Sequence, residues 1–320
     1  MAFSNDFIMS EPLVSIICES YNHEPFIRKC LDGFVMQQTN FPFEILIHDD
    51  ASTDRSADII REYEARFPNL LKPIYQTENQ YSKGIGIWRT FQFPRAKGKY
   101  IALCEGDDSW TDPCKLQKQV DYMEAHPECS LCFHNAMVHW YDKAVPDELY
   151  ADFETGDFSG GRLIQNWISP TASFLFRSEH IQEYLELRAR HPQLAFGDIP
   201  LLMFLSQFGS IHGMSDVMSV YGKHQGGWTH SASAAKMYKD GRSWEELRAM
   251  FKPYKAITSD MVSKRYVNAT VQSLKERNFS VFMKAFYRGF IRQPVRGVKA
   301  LSTFIHDKRK KGSVNQGRLQ

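Results

Sequence analysis

The run Leu13-Val14-Ser15-Ile16-Ile17-Cys18 is short, apolar and rich in β-branched side chains, with Pro12 ahead of it and the polar Glu19-Ser20-Tyr21-Asn22 behind. A run of this length and composition between such boundaries reads as a buried strand. Phe26, Ile27, Cys30, Leu31 and Phe34 then recur at helical spacing. Phe43-Glu44-Ile45-Leu46-Ile47 is a second strand, ending at His48-Asp49-Asp50. Asp54 is placed to cap a helix carrying Ala57, Ile60 and Tyr63. Residues 70–75 and 99–104 read as two more strands. Strand and helix in alternation predict an α/β sheet with mostly parallel strands, flanked by helices.

Ligands of such sheets sit beyond the carboxyl ends of the strands. Three ends matter here: Glu19-Ser20-Tyr21-Asn22, Asp49-Asp50-Ala51-Ser52 and Glu105-Gly106-Asp107-Asp108. All three deliver acidic or polar groups to one edge. No G-x-G-x-x-G follows the first strand and no G-x-x-x-x-G-K-[ST] occurs, which argues against nicotinamide and P-loop chemistry. Past residue 110, Pro113 opens a helix and Ser130 to Trp140 reads as a longer strand. The polar stretch 141–161 reads as a connecting loop, Ser173 to Phe176 as a short strand and Ile199 to Phe208 as a buried helix. From about Ser231 the pattern is helical to near Ile305, with Gly289, Pro294 and Gly297 as breaks and a disordered end opening at Lys308.

The chain has 320 residues, 43% hydrophobic and 24% charged, enough to bury a core, so disorder is excluded as its main state. The uncharged stretch Ile199 to Ser215 contains Ser206, Gln207 and His212 and does not suit a membrane span. The first residues lack the basic start of a secretory signal, so a cytoplasmic protein is expected. Six cysteines are too few for a disulfide scaffold. Cys129 and Cys132 lie in a predicted strand and read as buried thiols. The net charge of +2 hides an asymmetry: residues 275–320 hold 12 basic and 2 acidic side chains, and the rest of the chain has a net charge of −8. A basic tail with Phe282, Phe286, Phe290 and Ile291 among Lys284, Arg288 and Arg292 suits either an anionic membrane surface or packing on the body or a second subunit. Nucleic acid is not expected as a partner, because the body is acidic.

Glu105-Gly106-Asp107-Asp108 is the strongest chemical signal. Hard cations such as Mg2+ or Mn2+ take carboxylate oxygens and share them with substrate phosphates. The same acids would also serve a helix cap or an Asx turn. Taken in order, Val14-Ser15-Ile16-Ile17 with Ser20-Tyr21-Asn22, His48-Asp49-Asp50-Ala51-Ser52-Thr53-Asp54, Gly98-Lys99-Tyr100-Ile101 and Glu105-Gly106-Asp107-Asp108 resemble the family 2 glycosyltransferases of bacterial surface polysaccharide synthesis. The resemblance spans roughly residues 12 to 230. It implies a GT-A-like fold over 1–230, followed by a helical, basic extension over 231–320.

The resemblance also implies roles. Asp50 contacts the nucleotide base, with Ser20 and Tyr21 lining the same pocket, and Arg89 approaches the nucleotide. Asp107 is the metal ligand for Mn2+ or Mg2+. Glu105 replaces the usual first aspartate, which points it to the donor sugar or ribose beside Gly106. Asp198 in Phe196-Gly197-Asp198-Ile199-Pro200 takes the role of catalytic base, although it would also cap the helix from Ile199. In Val220-Tyr221-Gly222-Lys223-His224, His224 is assigned to the metal or a phosphate and Lys223 to the diphosphate or to solvent. Trp228 covers an acceptor sugar or packs.

The expected activity is inverting transfer from a nucleotide-sugar, a UDP-sugar first, to a saccharide or lipid-linked saccharide. The enzyme would work in the cytoplasm or at the inner face of the plasma membrane, alone or as a homo-oligomer. Two other readings are a sugar nucleotidyltransferase and a non-catalytic binding protein on a degenerate scaffold of this type.

Overall fold

A computed structural model describes residues 11–225 and 233–316, with side chains to residue 307. Two compact units emerge, one of residues 1–192 and 197–225, the other of 193–196 and 226–320.

The first unit is built on β1 (Val14–Ser20), α1 (Ile27–Val35), β2 (Phe43–Asp49), α2 (Ser56–Arg66), β3 (Leu71–Tyr75) and β4 (Tyr100–Leu103). Nearly every residue of β1 and all of β2 are buried, as expected of strands covered on both faces. Near the start of β2 the buried Glu44 carboxylate is satisfied by Ser15 Oγ at 2.7 Å and Lys72 Nζ at 2.6 Å. Helix α1 buries Ile27, Cys30, Leu31 and Phe34, the helical set read from the sequence. Asp54 holds the start of α2 by accepting from Ser56 N at 2.9 Å. Its other oxygen accepts from Glu24 N at 3.0 Å, tying α1's approach to that of α2.

The chain continues through β5 (Ser109–Trp110), α3 (Lys115–Ala125), β6 (Cys129–Trp140), β7 (Glu148–Leu149), β8 (Gly156–Phe158), α4 (Gly160–Asn166), β9 (Leu175–Arg177), α5 (Ile181–Arg190), α6 (Asp198–Leu205) and β10 (Ser210–Lys223). The described strands form one sheet in the order β3-β2-β1-β4-β9-β6-β10-β5, with β7 on β6 and β8 on β10. The pairs among β1 to β4 are parallel, and so is β6 with β10. Strand β9 runs antiparallel to both β4 and β6, joining the two parallel parts into a mixed sheet.

One local reading is corrected and one is borne out. Residues 141–161 are not a bare loop: β7 and β8 pair at the sheet edges and α4 begins at Gly160. Strands of two or three residues, with β7 fully exposed, carry no hydrophobic period, so only their backbone pairing reveals them. All six cysteines are free thiols, and five, including Cys129 and Cys132 in β6, are buried.

The second unit holds α7 (Ala234–Met250), α8 (Lys255–Lys275), α9 (Phe279–Phe286) and α10 (Pro294–Gln316). Ser233 caps α7 and Asn278 caps α9 through their side-chain oxygens. Trp244 and Leu247 of α7 are buried, as are Val262, Tyr266 and Val267 of α8. Of the expected breaks, Gly289 lies in a single π-helical turn, Tyr287–Ile291, and Pro294 opens α10. Gly297 does not break the chain but lies inside α10, where the absence of a side chain lets it pack on the Gly289 carbonyl. Among the described residues no helix is long and apolar enough to cross a membrane.

Candidate active site

Parallel register brings the first two strand ends level, with Ser20 opposite Asp49. At the end of β1 the chain turns sharply, Asn22 taking φ +54°. Asn22 N donates to Ser52 Oγ at 3.0 Å, and Thr53 N donates back to Asn22 Oδ1 at 2.8 Å. These reciprocal bonds clamp the β1 and β2 ends together. Ser20 is buried and its hydroxyl has no hydrogen-bond partner among the described residues, whereas the Tyr21 ring is exposed.

Asp50 is buried, and its carboxylate accepts from Gln80 N at 2.7 Å and Tyr81 N at 2.9 Å. It therefore anchors the segment after β3. The fully buried His48 ring lies 3.6 Å from Asp50 Oδ1. Gln80 and Tyr81 lie in no motif of the sequence and His48, quoted beside Asp50, carries no assigned role there; no local pattern would have shown their convergence on Asp50.

The β4 end folds back on β1: Gly106 N donates to Glu19 O at 2.9 Å. A Cβ on Gly106 would stand 2.7 Å from His23 Nδ1 and 3.1 Å from Glu19 O, so only glycine allows this approach. The end of β10 meets the same turn from the other side. Gly222 N donates to Asp108 Oδ1 at 2.8 Å, and a Cβ on Gly222 would lie 2.2 Å from Asp107 O. Two residues further along, His224 Nε2 stands 3.1 Å from Asp107 Oδ2. Phe26 packs on the His224 ring with centroids 4.6 Å apart.

The electrostatics are those of crowded, buried acids. Burial first, then the charges of Asp107, Glu19, Asp108 and Asp198, pushes the Glu105 carboxyl well above its usual range. Burial, with Asp107 and Asp50 nearby, raises Glu19 to about 7. Asp108 is also raised by burial and by Asp107. Asp107 is the exception. Burial pushes it up, but the His224 hydrogen bond and the neighbouring His23 outweigh that and leave it below an ordinary aspartate. Its ionised form is thus favoured, which suits a cation ligand. Among the described residues no three His, Cys, Asp or Glu side chains form a ready metal cluster. One carboxylate paired with one imidazole fits a hard cation that completes its shell from phosphate oxygens and water.

Asp198 opens α6, its Oδ1 accepting from Ile199 N at 2.7 Å and its Oδ2 lying 3.4 Å from Thr171 Oγ1. Burial raises its pKa against those two bonds. Gly197 stands where the resembled family carries an acid, and Trp88 fills the space, its ring 3.2 Å from where a Cβ would be. Arg89, on the next residue, donates to Arg188 O at 3.5 Å, so its contacts lie on α5. Lys223 stands 5.2 Å over the Trp140 ring at the end of β10. Trp228 lies outside the described residues. Sequence reasoning assigned no role to Glu19, His23 or Arg188. Glu19 sits at a strand end already quoted and His23 directly follows it, which is the available signal.

A family model described as Glycosyl transferase family 2 matches residues 15–180. The chain is 39% identical over 237 residues to the uncharacterized protein Rv1520 of Mycobacterium tuberculosis, covering 73% of this chain and 64% of that protein. The match therefore spans less than two thirds of that relative's length. In fold, the chain resembles S. aureus TarS 1–349 solved with UDP-GlcNAc, with a TM-score of 0.54, 20% identity, and 91% and 80% of the two chains covered. It also resembles the mannosyltransferase PcManGT of Pyrobaculum calidifontis solved with GDP-Man and Mn2+, with a TM-score of 0.52, 16% identity, and 94% and 89% covered. At these identities the likeness is one of fold.

Proposed function

The chain belongs to glycosyl transferase family 2, and from that premise we propose that it moves a sugar from a nucleotide-sugar to a saccharide or lipid-linked saccharide, with inversion and with help from a divalent cation. The observation that carries this reading is the pairing of Asp107 with His224 at the edge where the β1, β2 and β4 ends meet, together with a buried aspartate, Asp198, close enough to perturb Glu105. TarS bound to UDP-GlcNAc and PcManGT bound to GDP-Man and Mn2+ support the donor class and the metal by fold likeness.

In the proposed reaction Asp198 accepts the proton of an acceptor hydroxyl. The hydroxyl oxygen bonds to the anomeric carbon, while the bond from that carbon to the diphosphate oxygen breaks on the opposite face. Its electron pair leaves with the nucleoside diphosphate. Oδ2 of Asp198 is the oxygen for this task, because Oδ1 is held by a shorter bond to Ile199 N. Burial makes the ionised form a stronger base than a solvated aspartate. A Mn2+ or Mg2+ ion held by Asp107 and His224 would neutralise charge on the departing diphosphate. Ser20, Tyr21 and Asp50 line the base pocket, Glu105 and Gly106 face the donor sugar or ribose, and Arg89, Lys223 and Trp228 keep the nucleotide, diphosphate and acceptor roles given above.

Calorimetric titration with UDP, GDP and TDP, each with and without Mn2+, tests the reading. Cation-dependent binding of one of them is expected, and the sugar derivatives of that nucleotide are then assayed as donors. Failure of all three to bind with Mn2+ present overturns it.

A further inference from the structure

The second unit carries an exposed surface that includes none of the residues assigned to sugar transfer. Phe279, Met283, Tyr287, Ile291, Val295 and Val298 follow one another at steps of four, four, four, four and three residues. Each leaves at least half of its surface in water, from 51% for Met283 to 82% for Val295. The first four lie along α9 and the π-helical turn at steps that bring apolar side chains towards one helical face, and Val295 and Val298 are exposed at the start of α10, after the break at residues 292–293. The inward side of this segment is already occupied: Ala285 and Gly289 are buried, Gly289 against Tyr266 of α8. Phe279, Phe282, Phe286 and Phe290 stack in series, with successive centroids 6.1, 5.8 and 5.1 Å apart.

The same segment is cationic. Lys275, Arg277, Lys284, Arg292 and Lys299 are exposed, and residues 275–307 contain only Glu276 and Asp307 as acids. Glu276 already accepts from Ala234 N at 3.0 Å. An exposed apolar surface interspersed with lysine and arginine is what an anionic bilayer takes up, hydrocarbon against the apolar side chains and headgroups against the cations. A second copy of the same surface suits it less, because it would bring cations against cations.

We propose that the exposed apolar side chains of α9, the π-helical turn and the start of α10 dock this protein on an anionic lipid surface, lying in the interface without crossing the bilayer. This stands apart from the transferase reading, since it uses none of the residues assigned to the reaction.

Flotation of the full chain with vesicles tests it, using phosphatidylcholine alone and phosphatidylcholine mixed with phosphatidylglycerol. At least ~10-fold more protein is expected with the anionic vesicles, falling at high salt. The triple variant Met283→Asp, Ile291→Asp, Val295→Asp should lose binding even at low salt. A second variant, Lys284→Gln with Arg292→Gln and Lys299→Gln, should lose the preference for anionic lipid. These positions are exposed, so both variants should keep the parent's circular dichroism and melting temperature. Equal binding to neutral and anionic vesicles, or none to either, overturns the proposal. So does an apolar triple variant that binds vesicles as the parent does, whether it then parts a dimer or binds DNA equally well.

Discussion

Asp198 and Glu19 are both buried acids with raised pKa values, yet they are expected to act in opposite ways. Asp198 must be ionised to accept a proton, so turnover should rise with pH through its pKa. That limb should lie above ~4, the value for a solvated aspartate. Asp198→Asn keeps the side chain's shape and its bond to Ile199 N but removes the base. The rate should fall by ~10²–10⁴-fold while titration shows unchanged nucleotide affinity. A variant that turns over at the parent rate would remove Asp198 from the mechanism. Glu19 bears on stability. Its folded pKa of about 7 exceeds the unfolded value, so its protonated form favours the folded state. That contribution is complete below the unfolded pKa and is lost as pH rises through about 7. The thermal midpoint of the metal-free protein should therefore decline from acidic to mildly alkaline pH, and Glu19→Gln should flatten the decline.

At the scale of elements, the contact between β10 and the turn after β4 decides whether the site exists. Strand β10 arrives with Gly222 against Asp107 O, and Asp108 fastens it by accepting the Gly222 amide. Asp108→Ala leaves that amide without a partner in the interior, which costs about 1–3 kcal/mol. Asp108→Asn retains an acceptor and, because burial already favours the neutral acid, should cost less than about 1 kcal/mol. Denaturant unfolding of the two variants compares them directly. Equal losses would mean that the negative charge of Asp108, not its acceptor oxygen, holds β10. His224 rides on the same strand end, so the alanine variant should also weaken cation-dependent nucleotide binding.

Across the whole molecule, ligand and folding are linked by mass action. A nucleoside diphosphate with Mn2+ at ~100 times its Kd should stabilise the folded protein by about 2.7 kcal/mol. Calorimetry should record a higher melting temperature with both present and no rise once EDTA removes the cation. A rise that survives EDTA would separate nucleotide binding from the metal. The Asp107→Ala variant should behave as the parent does in EDTA, because it removes the carboxylate paired with His224.

The sequence alone determined the α/β alternation of the first hundred residues, the acids at three strand ends, the free buried thiols and the basic helical tail. Each of these is local: a period of apolar residues, a boundary residue or a count of charges over a short stretch. Tertiary structure decided the rest. His224 meets Asp107 across 117 residues and Gly222 meets Asp108 across 114, while Asp50 takes its amide donors from Gln80 and Tyr81. Whether Phe286 and Ile291 are covered or exposed was equally undecided by their spacing, because a helical period fixes which residues share a face and not what that face meets. Such pairings depend on where the chain returns in space, and the energies that select the path are summed over the whole core rather than written at any one position.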